Sequence, residues 1–128
     1  MDMTIKIDKG RKIIQRTVTG ELHTERSLKL VREIALAASM HKDYNILMDL
    51  QDTESRPEML DLLAVASECA VLHPVFNNKI AFLIPDAKER GPVARLFKTC
   101  MEAQGFRFRQ FFDRAAALQW LSPSTAPS

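Results

Sequence analysis

The sequence predicts an α/β fold, one layered domain built on a mixed, mostly parallel five-stranded sheet. Three observations lead there. Strand-like and helix-like stretches alternate along most of the chain, and the connections between strands are long enough to hold a helix, as parallel pairing requires. Two strand candidates, "YNILMDL" and "NKIAFLIP", carry apolar residues on both faces, the pattern of strands covered from both sides. The length of 128 residues suits one core rather than two.

Taken in order, Thr4–Asp8 and Arg11–Gly20 carry the β-branched residues of strands, and "DKG" between them is a turn signal, so the chain opens with a hairpin. Leu28, Val31, Ala35 and Ala38 fall at helical spacing with Thr24 as the N-cap, which predicts a first helix from about Glu25 to about His41. Tyr44–Leu50 follows as a central strand. Pro57 suits a first helical position, and Ser55 and Glu58 stand at capping-box spacing, so a second helix is expected from about Pro57 to about Ala70. Asn78–Pro85 is the next strand, ended by its proline.

After the loop "DAKERGP", the spacing of Val93, Leu96, Phe97, Cys100 and Met101 predicts a third helix stopped by Gly105. "FRFRQFF" alternates Phe106 and Phe108 against Arg107 and Arg109, the mark of a strand with one wet face, at a sheet edge. Asp113 then caps a short last helix whose Trp120 and Leu121 dock on the core. The organisation expected is one domain over residues 1–121, with right-handed crossovers, and a flexible tail over 122–128.

An apolar share of 46% with 27% charged residues is that of a soluble globular chain. "IALAASM" and "LLAVASECAVL" are too short or too interrupted to span a bilayer, and no basic start leads into an apolar segment with a cleavage site. The expectation is a cytoplasmic protein without an integral membrane segment. A net charge of +2, from acids and bases mixed along the chain, gives no strong pull towards nucleic acid. Arg95, Lys98, Arg107, Arg109 and Arg114 read as solvated surface, and no nucleic-acid partner is expected. Cys69 and Cys100 lie inside predicted helices and read as reduced, buried thiols.

Most catalytic signatures are missing. With only four glycines, neither a P-loop nor a dinucleotide fingerprint can be written. His23, His41 and His73 lie in separate segments without zinc spacing, and no nucleophile elbow exists, so no cofactor, metal or catalytic residue is assigned.

The stretch "NILMDLQDTESRPEM" runs from a strand into acids and hydroxyls. In a parallel sheet, ligand sites gather beyond the carboxyl ends of strands. That places Asp49, Asp52, Thr53 and Ser55 on one rim, joined by Asp86, Lys88, Glu89 and Arg90 after the next strand. The plain alternative is that Ser55 caps a helix, Asp52 and Glu54 solvate a loop, and Asp49 accepts hydrogen bonds from loop amides. A capping hydroxyl is also open to phosphorylation.

"ILMDL" leading into an amphipathic helix, "KIAFLIP", and "FRFRQFFDRAAALQWL" at the end together resemble the small bacterial SpoIIAA-like proteins, also described as STAS/SEC14-like. The resemblance implies a sheet with β-α superhelical connections. It implies, too, a rim that binds a protein partner and holds a phosphorylatable hydroxyl. Asp49-Leu50 matches the family's strand end; its serine-glycine turn is absent, and Thr53 and Ser55 are the candidate phosphorylation positions. The leading expectation is a non-enzymatic regulatory module acting through protein-protein interaction, with a homodimer through the "FRFRQFF" edge as a further expectation. The SEC14 side implies the alternative, a carrier with an apolar cavity for a lipid or other small hydrophobic ligand.

Overall fold

The computed structural model describes residues 3–55, 64, 67–68, 78–85, 95, 98–99, 101–103 and 105–122. β1 (Met3–Asp8) and β2 (Ile13–Leu22) form the opening hairpin, antiparallel, with Asp8 opposite Ile13. In its turn the Asp8 carboxylate accepts the Arg11 N–H at 3.0 Å, and Lys12 adopts a left-handed φ of 57°. β2 starts at Ile13 rather than Arg11, since the turn claims Arg11 and Lys12, and it continues to Leu22.

α1 (Thr24–Met40) is capped by His23, not Thr24. His23 has the extended backbone a cap needs, and its Nδ1 accepts the Arg26 N–H at 3.3 Å, while Thr24 is already helical. The buried face of α1 is Leu30, Ile34, Ala35 and Ala38, with Leu28 and Val31 half-buried at its flank. The inward stripe is thus rotated slightly from the one the sequence suggested.

β3 (Asn45–Ser55), β4 (Ile80–Leu83) and β5 (Phe108–Phe111) complete a sheet of order β1-β2-β3-β4-β5. Only β1 is antiparallel to its neighbour; β2 to β5 are parallel. β5 is an edge, as its alternation predicted. Between β3 and β4, Ala64, Ser67 and Glu68 are helical; between β4 and β5, Arg95, Lys98, Thr99 and Met101–Ala103 are helical. The predicted helix start at Pro57 and Glu58, the positions of Cys69 and Cys100, and the tail after Ser122 lie outside the described residues. Gly105, with a φ of 86°, ends its helix as expected: its N–H reaches Glu102 O at 3.0 Å and the Phe106 N–H reaches Met101 O at 3.2 Å, the paired bonds of a Schellman cap.

Both faces of the sheet are packed. On one, Ile14, Val18, Ile46, Met48, Leu50, Ile80 and Phe108 meet α1, Met101 and Phe106. On the other, Ile13, Leu47, Ala81 and Leu83 meet Ala117 and Leu121 of α2 (Arg114–Leu121). Asp113 caps α2 through its Oδ2, which accepts the Ala116 N–H at 3.1 Å. Asn45 fastens the far end: its Nδ2 donates to Leu121 O at 2.6 Å and its Oδ1 accepts the Lys79 N–H at 3.0 Å, so one side chain ties α2 to the starts of β3 and β4. Among the described residues, no helix is long and apolar enough to cross a membrane.

Candidate functional site

β2, β3 and β4 are parallel, so their carboxyl ends share one rim, and β3 decides what that rim presents. Asp49 to Ser55 is not a loop. β3 continues to Ser55 because β2 offers it a partner as far as Leu22. A β-bulge interrupts the pairing: Thr17 faces Asp49, but Thr19 faces Asp52, so β3 carries one extra residue between them. The bulge reverses the alternation beyond it. Thr53, which would otherwise share a face with Asp49, lies opposite Gly20 and is buried, and its Oγ1 donates to Leu50 O at 2.6 Å. Gly20 has a φ of 93°, a backbone state that suits glycine.

Asp49 lies inside the strand, on the α2 face, and is 6% exposed. It forms an ion pair with Arg114 at the start of α2, and its Oδ1 accepts the Gln51 N–H at 3.2 Å. The sequence reading of Arg114 as solvated surface is therefore corrected: its partner lies far away in the chain and becomes visible only when α2 folds back across β3. Asp49 thus anchors a helix.

Asp52 and Glu54 are exposed at the rim. Glu54 stands directly opposite Glu21 of β2, a like-charge pairing that costs a sheet stability. Ser55, the last residue of β3, is opposite Leu22. Asp86, Lys88, Glu89 and Arg90 lie outside the described residues. Of the sequence-predicted rim residues, the structure brings Asp52 and Ser55 to the end of β3 and turns Asp49 and Thr53 inward on opposite faces.

Two buried arginines behind the rim escaped the sequence reading. Arg26, in the first turn of α1, is 6% exposed and donates to Thr19 O at 2.5 Å and Glu21 O at 2.8 Å. β1 begins at Met3, opposite Val18, and beyond Val18 the Arg26 guanidinium meets the carbonyls of β2. Arg16, 5% exposed on the α1 face, pairs with Glu33. Both arginines leave Nε without a hydrogen bond, so each buried charge depends on the partners it has. The alternation of β2 gave a signal for Arg16, which shares its phase with Ile14 and Val18.

Beneath α1, Leu30, Val31, Ile34, Met48, Ile80, Phe82, Met101 and Phe106 line an apolar cavity of about 40 Å³. Among the described residues, no group of three His, Cys, Asp or Glu side chains is placed to hold a metal ion.

The sheet order, the single antiparallel strand and the packing of both faces define a SpoIIAA-like, STAS-type fold. Solved structures agree. An uncharacterized protein of the DUF3478 family from Shewanella loihica, described as having a SpoIIAA-like fold, superposes with a TM-score of 0.61 at 17% identity, covering 94% of this chain and 92% of that one. The anti-sigma factor antagonist SpoIIAA, in its unphosphorylated form, superposes with a TM-score of 0.53 at 13% identity, covering 90% of this chain and 94% of that one. No protein-family model and no curated protein matches the sequence.

Proposed function

We propose that this chain is a non-enzymatic regulatory module that binds a protein partner through the carboxyl rim of its sheet, around Asp52, Glu54 and Ser55, with Asp86, Lys88, Glu89 and Arg90 extending the same surface. The observation that carries the reading is the bulge in β3. It sets Asp52 and Glu54 outward, holds Glu54 against Glu21 at a cost, and turns Thr53 into the core. A surface that keeps a repulsive acid pair gains most when a basic partner neutralises it. The shared fold with an anti-sigma factor antagonist supports the same class of activity. Of the two hydroxyls open to phosphorylation, the burial of Thr53 favours Ser55, where an added phosphate would deepen the negative charge of the rim.

The test is the double variant Asp52→Lys/Glu54→Lys. Glu54→Lys replaces a like-charge pair with an opposite one, so the domain should stay folded, with an unchanged circular-dichroism spectrum. Cross-linked partners recovered from host cells with the original chain should be lost with the variant. The same partners retained at the same yield would contradict the proposal. The alternative of a lipid carrier gains little from the cavity beneath α1, since about 40 Å³ is far below the roughly 300 Å³ at which ligand pockets begin.

A further inference from the structure

The sheet ends at β1 on one side and at β5 on the other. β1 is an unguarded edge. It holds no proline, its pairing with β2 runs from Met3 to Asp8 without a bulge, and among the described residues its hydrogen bonds go to β2 and the turn. Such an edge invites a further strand unless its charges repel one. Lys6 and Asp8 supply those charges. They lie opposite Gln15 and Ile13, on the α2 face, and both are exposed. Among the described residues Lys6 is in no ion pair. The Asp8 carboxylate serves the turn, accepting the Arg11 N–H and lying 3.9 Å from Arg11 Nε, and keeps lone pairs for a second cation.

Lys6 discourages indiscriminate pairing, since a strand set beside it gains only if it brings an acid to the right place. β1 itself does so. Antiparallel pairing of a strand with its own copy has a two-fold axis, and the residue on that axis fixes every other pair. With Lys6 on the axis, like charges meet. With Ile5 there, Lys6 meets Thr4, and Asp8 falls beyond the other strand. With Ile7 there, Lys6 of each copy faces Asp8 of the other, so the same ion pair forms twice. β5 offers no such match: Arg107 and Arg109 are exposed, and the strand holds no acid for them to meet.

The last turn of α1 stands over the same end of β1. Arg32 pairs with Glu68 in the β3–β4 connection, whereas Glu33 pairs with Arg16, the β2 residue opposite Ile5, so the Glu33 flank of α1 lies towards β1. Met40, two turns on from Glu33, repeats its position and is 72% exposed, with Leu36, 65% exposed, one turn before it. α1 ends at Met40, and β3 begins at Asn45 opposite Ile13, the residue that faces Asp8. A two-fold axis through Ile7 therefore turns the last turns of both α1 helices towards each other over one face. We propose that the chain forms a homodimer by antiparallel pairing of β1 with β1 of a second copy around Ile7, closed by two Lys6–Asp8 ion pairs and by Leu36 and Met40. Backbone pairing supplies affinity, the charges set the register, and the α1 side chains lose water.

Sedimentation of the full chain from micromolar to millimolar concentration should show a monomer–dimer equilibrium, with amide exchange slowed in β1 as the dimer forms. Lys6→Glu sets an acid against Asp8 twice and should weaken the dimer about tenfold, whereas Lys6→Arg should leave it intact. Both keep an unchanged circular-dichroism spectrum, because Lys6 is exposed. Asp8→Lys sets lysine against lysine and should also weaken the dimer. Mixed, the Lys6→Glu and Asp8→Lys chains regain both pairs, so native mass spectrometry of the mixture should show the mixed dimer in excess of either homodimer. Lys6→Glu alone carries the test where Asp8→Lys unfolds. A monomer throughout, a dimer that Lys6→Glu leaves unchanged, exchange slowed in β5 in place of β1, or a mixture of folded variants without excess mixed dimer would overturn the proposal. The axis lies at the amino end of β2, so the carboxyl rim stays open in the dimer. Two identical chains differ in mass from a complex with another protein, and failure here leaves the rim proposal standing.

Discussion

Replacing Arg114 by methionine tests whether Asp49 is an anchor for α2. The side chain of Asp49 is 9% exposed and that of Arg114 is 40% exposed. The two losses are therefore unequal. Methionine keeps the apolar stem of Arg114 but leaves the Asp49 carboxylate buried with, among the described residues, only the Gln51 amide as a partner. Breaking a fully buried pair costs about 3–5 kcal/mol, and water around the outer half of this one reduces the expected cost to about 1–2 kcal/mol. Asp49→Asn instead strands an arginine that can rehydrate, and should cost about 0.5–1 kcal/mol. For a domain of this length each kcal/mol lowers the melting temperature by about 3–5 °C. Urea unfolding of both single variants and the double variant gives the coupling energy, expected at about 1 kcal/mol. Additive effects, or an Arg114→Met variant as stable as the original, would refute the anchoring role.

Three further outcomes follow from the same contacts. Arg26→Met removes two charge-assisted bonds to the carbonyls of Thr19 and Glu21 and should cost about 2–3 kcal/mol, with faster amide exchange at the end of β2 in NMR. Glu33→Ala leaves Arg16 buried without its carboxylate; Glu33 is 34% exposed, so the expected loss is about 2–3 kcal/mol in chemical denaturation. The hydrogen bond from Lys12 holds the Asp43 carboxyl below its ordinary value of 3.8, and Asp43 in turn raises Lys12. A lowered carboxyl favours the folded state above its unfolded pKa and loses that contribution as pH falls through the folded one. A proton-detected titration should find Asp43 below its ordinary value, and Lys12→Met should raise it towards that value.

The elements that were legible in the sequence are those set by local chemistry. The hairpin followed from β-branched residues around a turn, the stop at Gly105 from its freedom to adopt positive φ, and the cap at Asp113 from its position before an alanine-rich run. The doubly apolar β3 and β4 gave the parallel sheet. What the sequence concealed depends on contacts between distant segments. "QDTES" lacks strand propensity and joins β3 only because β2 pairs with it, and the bulge that buries Thr53 has no local signature. Arg16 and Arg26 are charged residues, which composition assigns to the surface, yet each finds its partner on another element. The exposed alternation of Arg107 and Arg109 was legible, but the approach of Arg109 to within 5.8 Å of the Trp120 ring required α2 to fold back over the sheet.

Native mass spectrometry of the chain purified gently from its own host, beside the Asp52→Lys/Glu54→Lys variant, tests whether a protein partner is recognised at the carboxyl rim. Recognition at the rim predicts a protein complex in the first spectrum and the free chain in the second. A complex that survives both substitutions, or a chain carrying a lipid-sized adduct in place of any protein, would contradict it.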